Sequence, residues 1–544
     1  MKENYWDTLL RRRLSRRRLI RGTLAGVGTV ALLGCAPAAP KPAPTKPAAV
    51  PGSPTPSLQP VMGGRLRIAS TATLSEDPLL QLGGNLDGVV RNNMYDNLIW
   101  IDPKGKHVPS LAESWEIPEP DRVVFKLRKG VKLHDGVPLN AQLMKFNYER
   151  IMDPATKATS APFVGQSVKS VEPVDEYTVA YKLPAPSAGF LAIVAGDHFV
   201  SPVSPEAVKK FNNDLKRNGV GTGSFQHSEW FQDDHITLRK FAGYWKSGVP
   251  YLDELYVKVI PDPTVSITML RTGEIDFMAQ MQSKDVLELK NDPNIKVPGG
   301  PVPVLRGLSI NSKKAPFNNK ALRQAAAYAI DREAIQQGVY LGLAPVAYGH
   351  YSPSYWFYDP AIEQMYRFDL DKARAKLKEG GSPDGFEVEA LVSGGVPDLI
   401  PLGEAVQGQL AKVGIKIKLK TVEYAVFLDS WKKGDFQALI GRTSTGVDPY
   451  YYSIYDTLSS APYNNQMVPN PEFDALMKKA DATYDATERG RIYNELNRKM
   501  VEDVYWMLPI MHGANYVAHS TKVQGYVPAM TDNRWYFEGV WKVK

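Results

Sequence analysis

Thiol chemistry is almost absent from this 544-residue chain, which holds one cysteine, Cys35. One cysteine forms no intrachain disulfide, and if it is committed elsewhere no thiol nucleophile or zinc-thiolate site remains. Histidine is scarce as well, eight in all, and His227 and His235 stand eight apart, which fits no standard ligand pair. Surplus positive charge is confined to the start. The formal charge is +7, but residues 1–21 hold eight Lys or Arg against two acidic residues, and the remainder has 57 basic and 56 acidic residues. A body so near neutrality lacks the basic surface that nucleic-acid binding requires. Enzyme motifs are missing too. There is no G-x-S-x-G elbow, no H-E-x-x-H and no Walker loop. Gly219, Gly221 and Gly223 imitate a dinucleotide loop, but the third glycine falls at the wrong spacing, and Asp233-Asp234 reads as a solvated turn. No cofactor or metal site is expected. A secreted hydrolase stays as the alternative that sustained turnover would reveal.

Long apolar runs are the last absence. The uncharged stretch at 22–34 has thirteen residues, short of the about 20 needed to span a bilayer. It follows Ser15-Arg16-Arg17-Arg18-Leu19-Ile20-Arg21, which reads as a twin-arginine export signal, and ends in Leu32-Leu33-Gly34-Cys35, which reads as a lipobox. Residues 1–34 are thus expected to be a cleaved signal and Cys35 to be lipidated. From 36 to 60 the chain is nearly all Ala, Pro, Lys, Ser and Thr with nine prolines. Such a segment buries no core and extends at roughly 3.1 Å per residue. The expected layout is a lipid at Cys35, a tether over 35–61, and a body outside the cytoplasm, anchored to the cell membrane.

A body of this length exceeds one ordinary core, so more than one lobe is expected. Leu66 and Ile68 alternate with arginines, and 123–128 has the same strand pattern. Helical spacing appears at 140–150, 319–330, 371–379 and 404–413, the last followed by the alternating run Ile415-Lys416-Ile417-Lys418-Leu419. Strands alternating with helices predict an α/β protein with a parallel or mixed sheet.

Several stretches in order extend this reading: Leu111-Ala112-Glu113-Ser114-Trp115-Glu116, 125–136 ending in Leu133-His134-Asp135-Gly136, Gly221-Thr222-Gly223-Ser224-Phe225, Tyr244-Trp245, Ile310-Asn311, Phe317-Asn318, Arg323-Gln324-Ala325 and Ala329-Ile330-Asp331-Arg332. Together they resemble the family 5 solute-binding proteins of ATP-driven importers, which include oligopeptide, dipeptide and nickel receptors. The resemblance covers 62–544. It implies a two-lobed periplasmic-binding-protein-like clamp with an extra subdomain on the first lobe. The first lobe would be 62–100 with 220–303 and 515–544, the subdomain 101–219, and the second lobe 304–514, with crossings near 305–311 and 507–514. It also implies a monomer that closes on a small solute and delivers it to the permease and ATPase subunits of an ABC importer. A sensory or chaperone-like surface protein using the same clamp is a further alternative.

One run departs from the family pattern. Peptide receptors place a glycine-tryptophan pair ahead of an aspartate that binds the peptide ammonium. Here the run is Gly441-Arg442-Thr443-Ser444-Thr445-Gly446-Val447-Asp448-Pro449, with Arg442 in the tryptophan position and Thr445 in the aspartate position. A hydroxyl supplies no charge to a buried ammonium, so among peptide-like, oligosaccharide or anionic solutes the expectation shifts away from ordinary peptides toward an anionic or polyhydroxylated one. Arg442 either meets the ligand or pairs with Asp448 or another carboxylate. Aromatic clusters at Tyr351, Tyr355, Trp356, Phe357 and Tyr358, and at Tyr450, Tyr451, Tyr452 and Tyr455, suit apolar faces and hydroxyls. The candidate ligand-binding residues are Ser70, Asn311, Tyr351, Trp356, Arg442, Thr445, Asp448 and Tyr450.

Overall fold

The computed structural model describes residues 59–543 apart from 71–75, 77–87, 103–105, 159, 197–200, 395, 397, 445, 462 and 530–533. The export signal, Cys35, most of the tether and Thr445 therefore lie outside the described residues.

Strand β1 (Arg65–Ser70) turns Leu66 and Ile68 into the core at zero exposure, as the alternation requires. A short hairpin follows, β2 (Ile99–Ile101) with β3 (His107–Pro109). Four antiparallel strands come next: β4 (Ala112–Glu119), β5 (Arg122–Leu127), β6 (Ser170–Asp175) and β7 (Thr178–Lys182), in the order β4-β5-β7-β6. Helix Ala141–Met152 contacts this sheet, started by Asn140, whose side chain accepts from the Leu143 amide at 2.8 Å.

The chain then returns to β1. Strands β8 (Phe225–Phe231), β9 (His235–Lys240), β10 (Glu254–Val259), β11 (Phe277–Met278) and β12 (Ile295–Lys296) build outward on both its sides. Next come β13 (Gly299–Ile310), β14 (Phe386–Ser393), β15 (Ile415–Val422), β16 (Ala438–Ser444) and β17 (Met507–Tyr516), a separate five-stranded sheet in the order β15-β14-β16-β13-β17. Strand β18 (Ala518–Ser520) closes the circuit by joining the first sheet between β12 and β11.

Sheet membership thus changes at 297–298 and at Val517. The crossing is a two-stranded ribbon in which Gly299–Val302 pairs with Gly513–Tyr516, separated by a register shift from the part of β13 that also pairs with β16. Its first strand lies before the expected 305–311, and its second overlaps the end of the expected 507–514. The reason is physical: both connections are continuous strand, so no break in alternation marks where one sheet ends.

Helices Lys320–Ala329 and Leu399–Ala411 cover one face of the second sheet, over a core containing Leu308, Ile310, Val388, Ala390, Val392, Ala438 and Ile440. The opposite face joins a second core that runs without interruption from Phe125, Phe163 and Phe190 to Leu439, Tyr450 and Trp506. The four-stranded unit and the second sheet therefore share one apolar interior.

Candidate functional site

The two strands that enter and leave the second sheet do so at one edge. There β14, β15 and β16, which run parallel, present their C-terminal ends at Ser393, Val422 and Ser444. Open α/β sheets bind ligands outside such ends, and here that edge points along the ribbon toward the first sheet.

Successive rungs of the β13–β16 ladder lead to it. On one face, Ile310 stands opposite Ala438, Leu308 opposite Ile440, and Arg306 opposite Arg442. The first two pairs are fully buried, each large aliphatic contributing roughly 1.5–3 kcal/mol. The third rung is two guanidiniums. Arg306 pairs through Nε with Asp398, at the N-cap position of helix Leu399–Ala411. Its Nη1 is buried without a hydrogen-bond partner among the described residues. Its guanidinium also lies 6.0 Å from the Tyr340 ring centre, and the Tyr340 hydroxyl points at Asp398 from 3.5 Å. Burial, then the neighbouring Arg306, lowers the Arg442 pKa to about 10, against the pull of Asp398. For Arg306 burial acts in the same direction, but Asp398 and Tyr340 outweigh it and its pKa rises. Burial raises the Tyr424 phenol above its usual value.

A second cluster lies where the second sheet's elements meet the four-stranded unit. Asp448 caps helix Pro449–Tyr452 by accepting from the Tyr450 amide at 2.9 Å. Both its oxygens also receive Arg489, Nη1 to Oδ2 and Nη2 to Oδ1, each at 2.6 Å. Arg489 donates further to the Ala480 carbonyl and to the Tyr493 hydroxyl, which donates to Asp481 at 2.6 Å. Burial raises the Asp481 pKa to about 7. Across the seam, the Ala188 amide donates to the Asp481 carbonyl at 2.8 Å, and the Tyr450 hydroxyl to Ser167 at 3.4 Å. Tyr484 donates to the Pro120 carbonyl at 2.6 Å. A Cβ added to Gly189 would stand 2.2 Å from that of Tyr450, so only glycine permits this approach.

A cavity of about 390 Å³ adjoins the seam, walled by helix Gly88–Met94, the β2–β3 hairpin, Tyr244, Lys246 and the C-terminal stretch around Tyr536, with Val447 at its margin. Buried Asp96 accepts from Trp245 Nε1 at 2.9 Å and from Tyr244 at 3.2 Å, and burial raises its pKa to about 6.

The candidate residues are thereby separated. Arg442 lies on the second-sheet edge opposite Arg306, and Asp448 is held by Arg489. Asp448 and Tyr450 are in the seam. Tyr351 is fully buried edge-on to Tyr355, Phe357 and Tyr493. Trp356 is half exposed, donates Nε1 to the Ala486 carbonyl at 3.1 Å and lies 5.8 Å from the Arg489 guanidinium. The side-chain amide of Asn311 donates to the Gly434 and Phe436 carbonyls at 2.9 and 2.8 Å, which fastens the end of β13. Ser70 ends β1 with its hydroxyl buried and without a hydrogen-bond partner among the described residues. The side chains of Tyr452 and Tyr455 lie outside the described residues. Arg306, Tyr340, Arg489 and Asp481 escaped sequence reasoning, because only strand register and helix packing bring them to these places.

Known proteins resemble this chain over most of its length. Residues 106–465 match the family described as bacterial extracellular solute-binding proteins, family 5 middle. Heme-binding protein A of Haemophilus influenzae is 30% identical over 487 residues, covering 84% of this chain and 88% of that protein. Glutathione-binding protein GsiB of Escherichia coli K12 is 28% identical over 497 residues, covering 84% and 93%. Among solved structures, the periplasmic binding protein DppA of Helicobacter pylori in complex with the peptide STSA superposes with a TM-score of 0.78 at 29% identity. That match covers 89% of this chain and 99% of that one.

Proposed function

Because this chain belongs to the family 5 bacterial extracellular solute-binding proteins, with their two-lobed α/β fold, we propose that it is a membrane-tethered receptor that captures a peptide-like solute by closing its lobes and hands it to an ABC import permease. The observation that carries the reading is the seam. Asp448 and Tyr450 of the second lobe are packed on Gly189 and Ser167 of the four-stranded subdomain, an apposition that buries the Tyr450 ring. A solute drives such closure only through its greater affinity for the closed form. The work is capture and release, with no bond made or broken.

The ligand is peptide-like in the sense that a haem, glutathione or a short peptide, as named for the relatives, each carries carboxylate groups. Thr445 in place of an ammonium-binding aspartate sets this receptor apart from those for ordinary peptides. Delivery outside the cytoplasm follows from lipidation at Cys35, with 36–60 as the tether.

Small-angle scattering of the purified chain, with and without a pool of short peptides, glutathione and haem, tests the capture. The reading expects a smaller radius of gyration with the pool. An unchanged radius, or consumption of any pool member, contradicts it.

A further inference from the structure

We propose that the cavity beside the seam seats a bulky apolar group of the captured solute, an aromatic ring or a large aliphatic side chain. The inference rests on the capture reading and adds the chemistry of the group that is selected.

The wall is the first argument. Trp100, Ile101 and Val108 come from the β2–β3 hairpin, Val527 and Tyr536 from the C-terminal stretch, and Val447 from the loop after β16. Trp100 and Tyr536 meet edge to face with ring centres 4.5 Å apart. All of these side chains are at least part-exposed, and Val527 is the most open at 57%, so a solute group can touch them. The volume of about 390 Å³ falls in the roughly 300–1,000 Å³ range of small-molecule sites, which are mostly apolar.

The commitment of the polar groups is the second. Lys246 donates to both Glu538 oxygens, at 2.8 and 2.9 Å. The Tyr244 hydroxyl is shared between Glu538 at 2.8 Å and Asp96 at 3.2 Å, and Trp245 Nε1 donates to Asp96 at 2.9 Å. A polar solute group that sought these side chains would displace a bond already made. An apolar group leaves the network intact and removes the ring and aliphatic faces from water. Aromatic pairs in edge-on or offset contact favour a further ring beside Trp100 and Tyr536.

Placement is the third. Tyr536 stands between Trp535 and Phe537, which are fully buried in the core of Leu66 and Ile68 under the first sheet. Val447 stands between Gly446, whose carbonyl accepts from Tyr355 at 2.8 Å, and Asp448, which Arg489 holds. One wall of the cavity is therefore fixed to the first sheet and its margin to the elements of the second. A group that fills the cavity touches both, so its burial adds to the affinity of the closed arrangement over the open one.

The test is native mass spectrometry of the full purified chain exposed to matched solutes. The set pairs short peptides of glycine, alanine and serine with counterparts carrying one phenylalanine or tryptophan, and glutathione with S-benzylglutathione. Wild type is expected to retain the ring-bearing members with about tenfold or greater preference. Val447→Trp fills the cavity and is expected to lose that preference while keeping the small members. Tyr536→Ala removes a ring from the wall and is expected to weaken the preference. Val265→Ser, at an exposed site on helix Pro263–Thr272 outside the cavity, selects as wild type. A folding defect lowers retention of both members of a pair alike, so the shift in preference distinguishes the two causes. Equal retention of paired members by wild type, or an unchanged preference in both cavity variants, overturns the proposal and leaves the capture standing. If no member is retained, the uncharged fluorophore N-phenyl-1-naphthylamine decides. Enhanced fluorescence with wild type that Val447→Trp abolishes keeps the apolar site and removes the peptide-like solute, whereas no enhancement removes both.

Discussion

Arg489 holds Asp448 by two parallel hydrogen bonds of 2.6 Å, with side-chain exposures of 6% and 13%. The pair joins helix Ala486–Asp503 to the cap of helix Pro449–Tyr452, which is the element that meets the subdomain. Breaking a buried pair from one side leaves a charge without compensation, at a cost of about 3–5 kcal/mol. Arg489→Met leaves both Asp448 and Asp481 without their cation. Urea unfolding is expected to show a loss of that size, and a loss below about 1 kcal/mol would show that solvent already compensates the pair.

Asp481 carries the pH dependence of the same cluster. Burial raises its pKa to about 7 from an ordinary 3.8, opposed by Tyr493, Arg489 and Ser453 and reinforced by Asp448. The folded state therefore holds a proton that the unfolded chain releases, so stability falls as pH rises between those values. The contribution is complete below pH 3.8, is lost by pH 7 and is flat above. Unfolding free energies of wild type and Asp481→Asn across pH 4.5–7.5 are expected to converge at the acid end and separate in the variant's favour toward neutrality. Parallel profiles would place the proton elsewhere.

Gly189 sets the closeness of the seam. In Gly189→Ala the new methyl meets the Tyr450 Cβ at 2.2 Å and Asp448 Oδ1 at 2.9 Å, an overpacking worth about 1–3 kcal/mol. The variant is expected to scatter as a more open particle. Adding Tyr450→Ala should recover most of the loss, giving a coupling in the double-mutant cycle. Additive losses would mean that the backbone relaxes around the methyl.

The tether has its own test. Cys35→Ser removes the proposed acylation site, and since stable anchoring requires acyl chains in the bilayer, the protein is expected to move from the membrane pellet to the supernatant after cell fractionation. Retention in the pellet would mean that another segment anchors it.

The sequence carried some of this and not the rest. Alternation at Leu66 and Ile68 and at 415–419 identified strands β1 and β15, because their polar and apolar faces differ. Helix Lys320–Ala329 was legible from its alanine-rich run with Asn319 at the cap, whose side chain accepts from Ala321. Helix Leu399–Ala411 starts five residues before the expected 404, with Pro401 in its first turn, where proline is compatible with helix. At the site, Arg442 was visible as a departure from the family run. Arg306 was not, because 136 positions separate it from its partner, and a lone arginine in a strand gives no sign of which residue faces it. Asp448 was found through the resemblance to the family run, but its partner Arg489 belongs to a helix whose packing no local pattern reveals.

Native mass spectrometry of the purified chain, after exposure to pooled peptides, glutathione, haem and neutral oligosaccharides, tests the central claim most directly. The account predicts retention of an intact solute bearing a carboxylate group, at one per chain. Retention of only a neutral or cationic solute, or its recovery in chemically altered form, would contradict it.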